Sequence, residues 1–292
     1  MSETLVRIGT RGSELARTQT GTVAAMLAAA AGVSIETIII KTEGDRIQDV
    51  PLHQVEGKGF FTKEIEEALL EERIDLAVHS LKDLPVESPA GLVVAAIPVR
   101  EMANDLLLVR EDVAVASHPL LLPPEAVVGT SSKRRALQMK VAHPGTVIKE
   151  LRGNVPTRIR KLTEGAYDAI LLAAAGFRRL GIEAEGYRTV VLDYDAMLPA
   201  PGQGALALQV RAADARLAGI AGVLHDAATA RAVAAERCLL QLLGGGCGMP
   251  LGVFAESVGE AMRMRAVLGP ESWGLHDAPE WVRAAAEGDS AE

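Results

Sequence analysis

Residues 127–173 decide the fold class, and they read VVGTSSKRRALQMKVAHPGTVIKELRGNVPTRIRKLTEGAYDAILLA. Short apolar runs predict strands here, and the longer segments between them predict helices. The predicted order is strand, helix, strand, helix, strand, at residues 127–129, 132–142, 146–150, 155–162 and 168–173. Strands that alternate with helices form parallel sheets covered by helices. The chain is therefore expected to be an α/β protein.

The same alternation extends to both sides of this stretch. Further strands are predicted at residues 5–9, 34–41, 75–79, 92–97 and 205–210, and further helices at 13–31, 61–72 and 227–243. Residues 42–59 are polar and contain several glycines, so they predict a long loop. Residues 198–204 (LPAPGQG) predict a turn-rich crossing between parts of the molecule. Beyond the last helix we expect a small α+β unit whose weakly patterned end, residues 269–292, frays.

Bulk composition excludes several classes of protein. A chain of 292 residues suggests two or three domains. A net charge of −8 argues against nucleic-acid binding, which needs a basic face. The N-terminus shows no signal peptide, and the apolar stretches are too short to span a membrane. The two cysteines cannot build a disulfide framework, so we expect a cytoplasmic protein with reduced thiols.

Residues 9–13 (GTRGS) follow a predicted strand and enter a helix. Arg11 and Ser13 lie at that entry, where backbone N–H groups favour anions. The motif is short, and a structural turn with a surface arginine explains it equally well.

Residues 77–85 (AVHSLKDLP) begin as a buried strand and end in charged residues. Asp83 lies at the carboxyl end of that strand, where ligands bind in open α/β sheets. Lys82 beside it can hold the carboxyl group ionised. The alternative is a turn aspartate before Pro85, and sequence physics alone favours that alternative.

Two further segments concentrate basic residues. Residues 129–135 (GTSSKRR) combine three hydroxyl groups, a helix start and three consecutive cations, which suits a carboxylate or phosphate. A capped helix with a solvated basic face remains an open alternative. Residues 151–158 (LRGNVPTR) add Arg152 and Arg158. Such a cluster in an acidic protein suggests a polyanionic ligand, and arginine can bind both oxygens of a carboxylate.

Cys247 lies among glycines in residues 244–252 (GGGCGMPLG). A thiol with few side chains around it is a candidate nucleophile or attachment point. Cys238, inside the last predicted helix, fits a small buried hydrophobic residue instead. The six histidines are scattered without metal-ligand spacing, so no metal site is expected.

Together these motifs resemble the porphobilinogen deaminases. The motifs that carry the resemblance occur in the family's order, and they are KTEGD, GKGFF, HSLKDLP, VGTSSKRR, LRGNVPTR, LPAPGQGA and GGGCGMPLG. The resemblance covers about residues 7–268. It implies three domains, of which the first two resemble the lobes of periplasmic binding proteins with mixed sheets. The implied divisions are residues 1–98 with 200–217, residues 99–199, and a small α+β domain at 218–292 that carries the cysteine loop.

The resemblance also implies an activity in tetrapyrrole and heme biosynthesis. Cys247 would hold a dipyrromethane cofactor through a thioether. Four porphobilinogen units would be added to its free end, each with release of ammonia, and hydrolysis would free hydroxymethylbilane. The family further implies a monomeric transferase with porphobilinogen as its small-molecule partner. From the net charge and the short apolar stretches, neither nucleic-acid nor membrane partners are expected.

Site residues follow from the motifs that match the family. Asp83 matches the family's catalytic carboxylate, which stabilises the cations formed during the reaction. Besides Cys247 and Asp83, the cofactor-binding residues implied are Lys82, Thr130, Ser131, Ser132, Arg134, Arg135, Arg158 and Gln203. The substrate-binding residues implied are Arg11, Ser13, Lys58, Ser80 and Arg152. Lys58 belongs to the GKGFF motif, which resembles the family's mobile loop.

Two rival hypotheses stay in view. A two-lobed solute-binding protein without catalysis would explain the lobes and the basic residues, but it leaves the glycine-flanked Cys247 unexplained. A degenerate deaminase with a regulatory role is the second rival. The presence of Asp83, the arginine pair and Cys247 argues against it.

Overall fold

The computed structural model describes residues 4–42, 62–183, 185–245, 248–270 and 281–289. The chain divides into two compact units. The first unit comprises Met1–Glu101 and Gly204–Arg237, and the second comprises Met102–Gln203 and Cys238–Glu292. None of the helices in the described ranges has the length and apolar character that a membrane crossing requires.

The described elements alternate between strands and helices for most of the chain. The strands are β1 (Leu5–Arg11), β2 (Ser34–Ile40), β3 (Leu76–Ser80), β4 (Leu92–Ala96), β5 (Asp105–Arg110), β6 (Val127–Gly129), β7 (Val147–Lys149), β8 (Ala169–Ala173), β9 (Tyr187–Val191), β10 (Leu206–Arg211), β11 (Leu251–Val258), β12 (Ala261–Leu268) and β13 (Val282–Asp289). The helices are α1 (Glu14–Ala31), α2 (Lys63–Leu70), α3 (Lys133–Ala142), α4 (Val155–Thr163), α5 (Ala174–Arg179), α6 (Ala215–Gly222) and α7 (Ala227–Leu242).

The first unit is built on a five-stranded mixed sheet with the order β2-β1-β3-β10-β4. Strand β1 pairs in parallel with β2 and β3, and β10 runs antiparallel to both β3 and β4. Helix α1 begins because the Ser13 side chain accepts the Ala16 N–H, and it ends at Gly32 in the left-handed conformation. Val23 and Leu27 of α1 are buried against the β1 residue Ile8, which closes the core of this unit.

The second unit repeats this plan with the order β7-β6-β8-β5-β9. Strands β7, β6 and β8 are parallel, and β5 runs antiparallel to β8 and β9. In each sheet, therefore, three parallel strands are followed by one antiparallel strand and an edge strand. The antiparallel strand of the first sheet, β10, follows β9 in the chain, so it comes after all five strands of the second sheet. The chain enters the second unit at Met102, and the first strand there is β5, the antiparallel strand of the second sheet.

A third, antiparallel sheet of β11, β12 and β13 belongs to the second unit. The Val253 N–H donates to the Pro199 carbonyl at 2.8 Å, and the Phe254 ring stacks on Tyr194 with centroids 3.9 Å apart. Gly252 lies so close to the Leu198 carbonyl that a Cβ would stand 2.8 Å from its oxygen. Small size at this position is therefore what permits the sheet to pack.

The structure confirms the fold class, with two mixed α/β sheets and a smaller C-terminal sheet. Two expectations were wrong. The side chain of Cys238 is exposed, because its position in α7 faces away from the buried residues Val233 and Glu236. The expected fraying of residues 269–292 is wrong for residues 282–289, because all eight pair with β12. Residues 271–280 and 290–292 of that range lie outside the described residues. The division into three domains stays a prediction.

Candidate active site

Asp83 lies on a turn at the carboxyl end of a buried strand. Strand β3 ends at Ser80, and residues Leu81–Asp83 form one turn of 3₁₀ helix closed by the Leu84 N–H on the Leu81 carbonyl at 3.2 Å. The carboxylate of Asp83 is half-buried. Within the described ranges it has neither a hydrogen bond nor an ion pair. A half-buried carboxylate without a protein partner is available to a ligand.

A cavity in the first unit collects this carboxylate with other predicted residues. Its polar lining consists of Arg11, Gln19, Thr62, His79, Ser80 and Asp83. Gln19 donates from Nε2 to the Ser80 hydroxyl at 3.0 Å, so Ser80 is held in place. Ser13 caps α1 beside Arg11. The structure thus brings Arg11, Ser80 and Asp83 to one cavity.

A buried polar chain lies behind this cavity. Gln209 donates from Nε2 to Glu66 at 3.0 Å, so its amide oxygen faces the Nε2 of His79, also at 3.0 Å. This arrangement assigns the proton to Nε2 of the His79 ring. Burial lowers the pKa of His79 to about 4. His79 is therefore neutral near pH 7 and adds no positive charge to the cavity.

In the second unit, one buried carboxylate organises the arginine pair. Asp105 is fully buried at the start of β5, and it accepts Arg134 Nη1 at 2.5 Å and Arg135 Nη2 at 2.7 Å. Gln203 donates to the same carboxylate at 3.0 Å and accepts from Arg134 at 3.4 Å. The two guanidinium groups hold the pKa of Asp105 far below its usual range. Arg134, Arg135 and Gln203, predicted from separate motifs, thus form one cluster.

Two more guanidinium groups extend the cluster. Arg158 donates to the Gly153 carbonyl at 2.7 Å, and in the described part of the chain it meets no carboxylate. Burial, together with the positive charges of Arg135 and Arg152, lowers its pKa to about 10. Arg152 pairs with Glu150 at 3.1 Å. Arg158 is thus a half-buried cation that a bound anion would stabilise.

The three hydroxyl residues of the GTSSKRR motif have local roles. The hydroxyl of Ser131 donates to the Leu151 carbonyl at 2.7 Å, and Ser132 caps α3 by accepting the Arg135 N–H. Thr130 accepts the Ser132 N–H at 3.1 Å. The helix is capped, as the second alternative for this motif predicts, but its basic face is not solvated, because Arg134 and Arg135 are buried. A role for these hydroxyls toward a ligand stays a prediction.

Two predicted site residues lie outside the described part of the chain, and one residue of the arginine cluster was not predicted from the sequence. Cys247 and Lys58 lie outside the described residues. Lys82 is half-buried in the same turn of 3₁₀ helix as Asp83. The sequence did not identify Asp105 as a site residue. Its position directly before the apolar run LLLV was a signal, because a carboxylate buried in a strand needs cations as partners. Within the described ranges, no group of three His, Cys, Asp or Glu residues is arranged to hold a metal ion.

Comparison with known proteins gives consistent matches along the chain. The model "Porphobilinogen deaminase, dipyromethane cofactor binding domain" matches residues 6–219, and "Porphobilinogen deaminase, C-terminal domain" matches residues 230–272. The chain is 45% identical to a porphobilinogen deaminase of Syntrophobacter fumaroxidans over 293 residues, covering 100% of this chain and 91% of that protein. It is 46% identical to one of Oceanobacillus iheyensis over 264 residues, covering 90% and 84%. Among solved structures, it is similar to substrate binding domain 2 of Lactococcus lactis GlnP, with a TM-score of 0.46 and 10% identity over 84% of this chain and 92% of that one.

Proposed function

Because the chain belongs to the porphobilinogen deaminase family, we propose that it joins four porphobilinogen molecules into hydroxymethylbilane and releases ammonia at each addition. The chain is an enzyme of tetrapyrrole biosynthesis, with a dipyrromethane cofactor-binding domain over most of its length.

The observation that carries this proposal is a local surplus of positive charge in the arginine cluster around Asp105. Among the described residues, four guanidinium groups, of Arg134, Arg135, Arg152 and Arg158, contact or lie near two carboxylates, of Asp105 and Glu150. A dipyrromethane carries an acetate and a propionate on each ring, so its charge and the arginine donor set fit each other. When bound, the cofactor supplies the pyrrole end to which substrate is joined.

Asp83, in the first unit, is the carboxylate proposed for the chemistry. Porphobilinogen loses ammonia when its aminomethyl C–N bond breaks, and the electron pair leaves with nitrogen while the ring keeps the positive charge. Asp83 is proposed to stabilise that cation, since its half-buried carboxylate has no described protein partner. A preorganised group of this kind contributes about 3–4 kcal/mol to transition-state stabilisation.

The remaining predicted residues are proposed to bind carboxylates and pyrrole N–H groups. Toward the cofactor these are Lys82, Thr130, Ser131, Ser132, Arg134, Arg135, Arg158 and Gln203, with Cys247 as the covalent attachment. Toward the substrate they are Arg11, Ser13, Lys58, Ser80 and Arg152. Arg134 and Arg135 carry two positive charges and pair with one carboxylate, that of Asp105. The remaining positive charge is what we propose they contribute to cofactor binding.

The attachment is tested by the intact mass of the purified protein, before and after porphobilinogen is added. The mass should exceed that of the polypeptide by two linked pyrroles, and further steps of one pyrrole should appear with substrate. Cys247→Ser should lose the excess. A Cys247→Ser protein that keeps full activity and bound pyrroles would refute the assignment of Cys247.

The catalytic role of Asp83 is tested by Asp83→Asn. We expect this variant to fold, to keep its bound pyrroles by mass, and to turn over about 10²–10³-fold more slowly. Glu87→Gln is the matched control, because it removes the same charge from an exposed position four residues further along. Near-normal turnover in Asp83→Asn would remove Asp83 from the mechanism.

We also propose that the protein is a cytoplasmic monomer without nucleic-acid partners, and that it has the three domains predicted above. The net charge of −8 supports the absence of nucleic acid as a partner. The two family models part between residues 219 and 230, which supports a third domain that begins near residue 218. Sedimentation equilibrium tests the monomer, and a dimer mass would contradict it.

A further inference from the structure

The turn that presents Asp83 is stabilised by hydrogen bonds from other parts of the first unit. We call residues 81–85 the Asp83 turn. It contains a single turn of 3₁₀ helix with one internal hydrogen bond, and Leu81 donates its N–H outward to the Ala205 carbonyl at 3.0 Å. Pro85 has no N–H to donate. The carbonyls at the end of so short a helix need partners from elsewhere in the molecule.

One side chain supplies these partners. Arg237 donates from Nη1 to the Leu81 carbonyl at 3.2 Å and to the Leu84 carbonyl at 3.0 Å. Its Nη2 donates to the Pro85 carbonyl at 2.6 Å. A single planar guanidinium therefore ties three carbonyls that flank Asp83 on both sides. A positive charge at the end of a helical turn is also electrostatically favourable.

Packing fixes the position of Arg237 relative to the turn. Val233 lies one helical turn earlier on α7, and it is fully buried in one cluster with Leu81 and Leu84 of the Asp83 turn. The same face of α7 thus contributes both the apolar contact and the guanidinium. Helix α7 continues to Leu242, five residues before Cys247 in the chain.

We propose that Arg237 is a positioning residue that fixes the orientation of the Asp83 carboxylate, a role that rests on the proposed catalytic function of Asp83. Arg237 acts through the backbone carbonyls of the turn. A carboxylate that stabilises a transient cation must be held to a fraction of an ångström. A displacement of about 1 Å lowers the rate of such a step about 10²-fold.

The test compares Arg237→Met with Arg231→Met. Arg231 is exposed on the same helix, so its substitution removes an equal charge without touching the turn. We expect Arg237→Met to keep its bound pyrroles by intact mass and a KM within about twofold of wild type, while kcat falls about 10- to 100-fold. Amide hydrogen exchange of residues 81–90 should become faster in Arg237→Met and stay unchanged in Arg231→Met. An unchanged kcat alongside lower thermal stability would overturn the proposal in favour of a purely structural role.

The double variant Asp83→Asn/Arg237→Met separates the two hypotheses. If Arg237 acts through Asp83, the second substitution should lower kcat by less than about twofold in the Asp83→Asn background. An equal loss in both backgrounds overturns the proposal. Near-normal turnover of Asp83→Asn alone contradicts the proposed catalytic role of Asp83, on which this proposal rests. If Arg237→Met does not fold, Arg237→Lys is measured instead, because one ammonium group cannot contact all three carbonyls. A wild-type kcat in Arg237→Lys overturns the proposal.

Discussion

Removal of the Asp105 carboxylate tests the electrostatic account of the second unit. The carboxylate is inaccessible to solvent and accepts N–H groups from Arg134, Arg135 and Gln203. Asp105→Asn keeps the shape but leaves two buried guanidinium groups without a counter-charge. Since breaking a buried ion pair from one side costs about 3–5 kcal/mol, we expect the free energy of unfolding to fall by about that amount. Urea denaturation at pH 7, followed by circular dichroism, measures it.

Asp195→Asn is the matched control for this prediction. Asp195 also pairs with two arginines, Arg265 and Arg283, but its side chain is 85% exposed. Its loss should cost less than about 1 kcal/mol, because solvent screens exposed pairs. The reasoning would be refuted if the two variants lost equal stability, or if Asp105→Asn lay within about 1 kcal/mol of wild type.

Two further predictions concern stability. The folded-state pKa of His79, about 4, lies below its usual value. The contribution of the buried neutral imidazole to the free energy of unfolding is therefore complete above about pH 6.5 and is lost as the pH falls toward 4. His79→Gln should remove about 2 kcal/mol of the difference in unfolding free energy between pH 7 and pH 4.5, measured by urea unfolding, and parallel curves for variant and wild type would contradict it. Gly252→Ala places a Cβ 2.8 Å from the Leu198 oxygen and should lower the unfolding free energy by about 1–3 kcal/mol. At Gly219 in α6 a Cβ would meet nothing within 4 Å, so Gly219→Ala should raise the unfolding free energy by about 0.5–1 kcal/mol. A lower melting temperature for Gly219→Ala would contradict this reasoning.

Sequence pattern predicted the elements whose residues carry their own signal. Residues 169–173 form a short apolar run between polar segments, and they became strand β8. Ser13 and Gly32 mark the ends of α1 by capping, which depends only on neighbouring residues. The pattern around residues 77–85 indicated a buried strand followed by Asp83 in a turn, and Asp83 follows β3 in a single turn of 3₁₀ helix. In each case the information lies within a few residues of the feature.

Features that depend on distant partners could not be predicted. Strand β13 (Val282–Asp289) is rich in alanine and charge and lacks an alternating apolar face, and its pairing with β12 alone makes it a strand. Pairing of the GTSSKRR arginines with Asp105 joins positions about 30 residues apart, which neither motif indicates. Cys238 is exposed because the buried face of α7 is set by what packs on it. Contacts of this kind are specified by the tertiary structure.

The origin of strand β10 has a consequence for synthesis on the ribosome. Leu206, Leu208 and Val210 belong to the same core as Val6 and Ile8, yet they are translated about 110 residues after β4. At about 5–20 residues per second, the first sheet lacks its fourth strand for on the order of ten seconds. The second sheet, whose strands all lie between Asp105 and Val191, is translated in full within that interval. The N-terminal half of the molecule is thus expected to be the later one to reach its native state, and the nascent chain exposes the edges of β3 and β4 in the meantime.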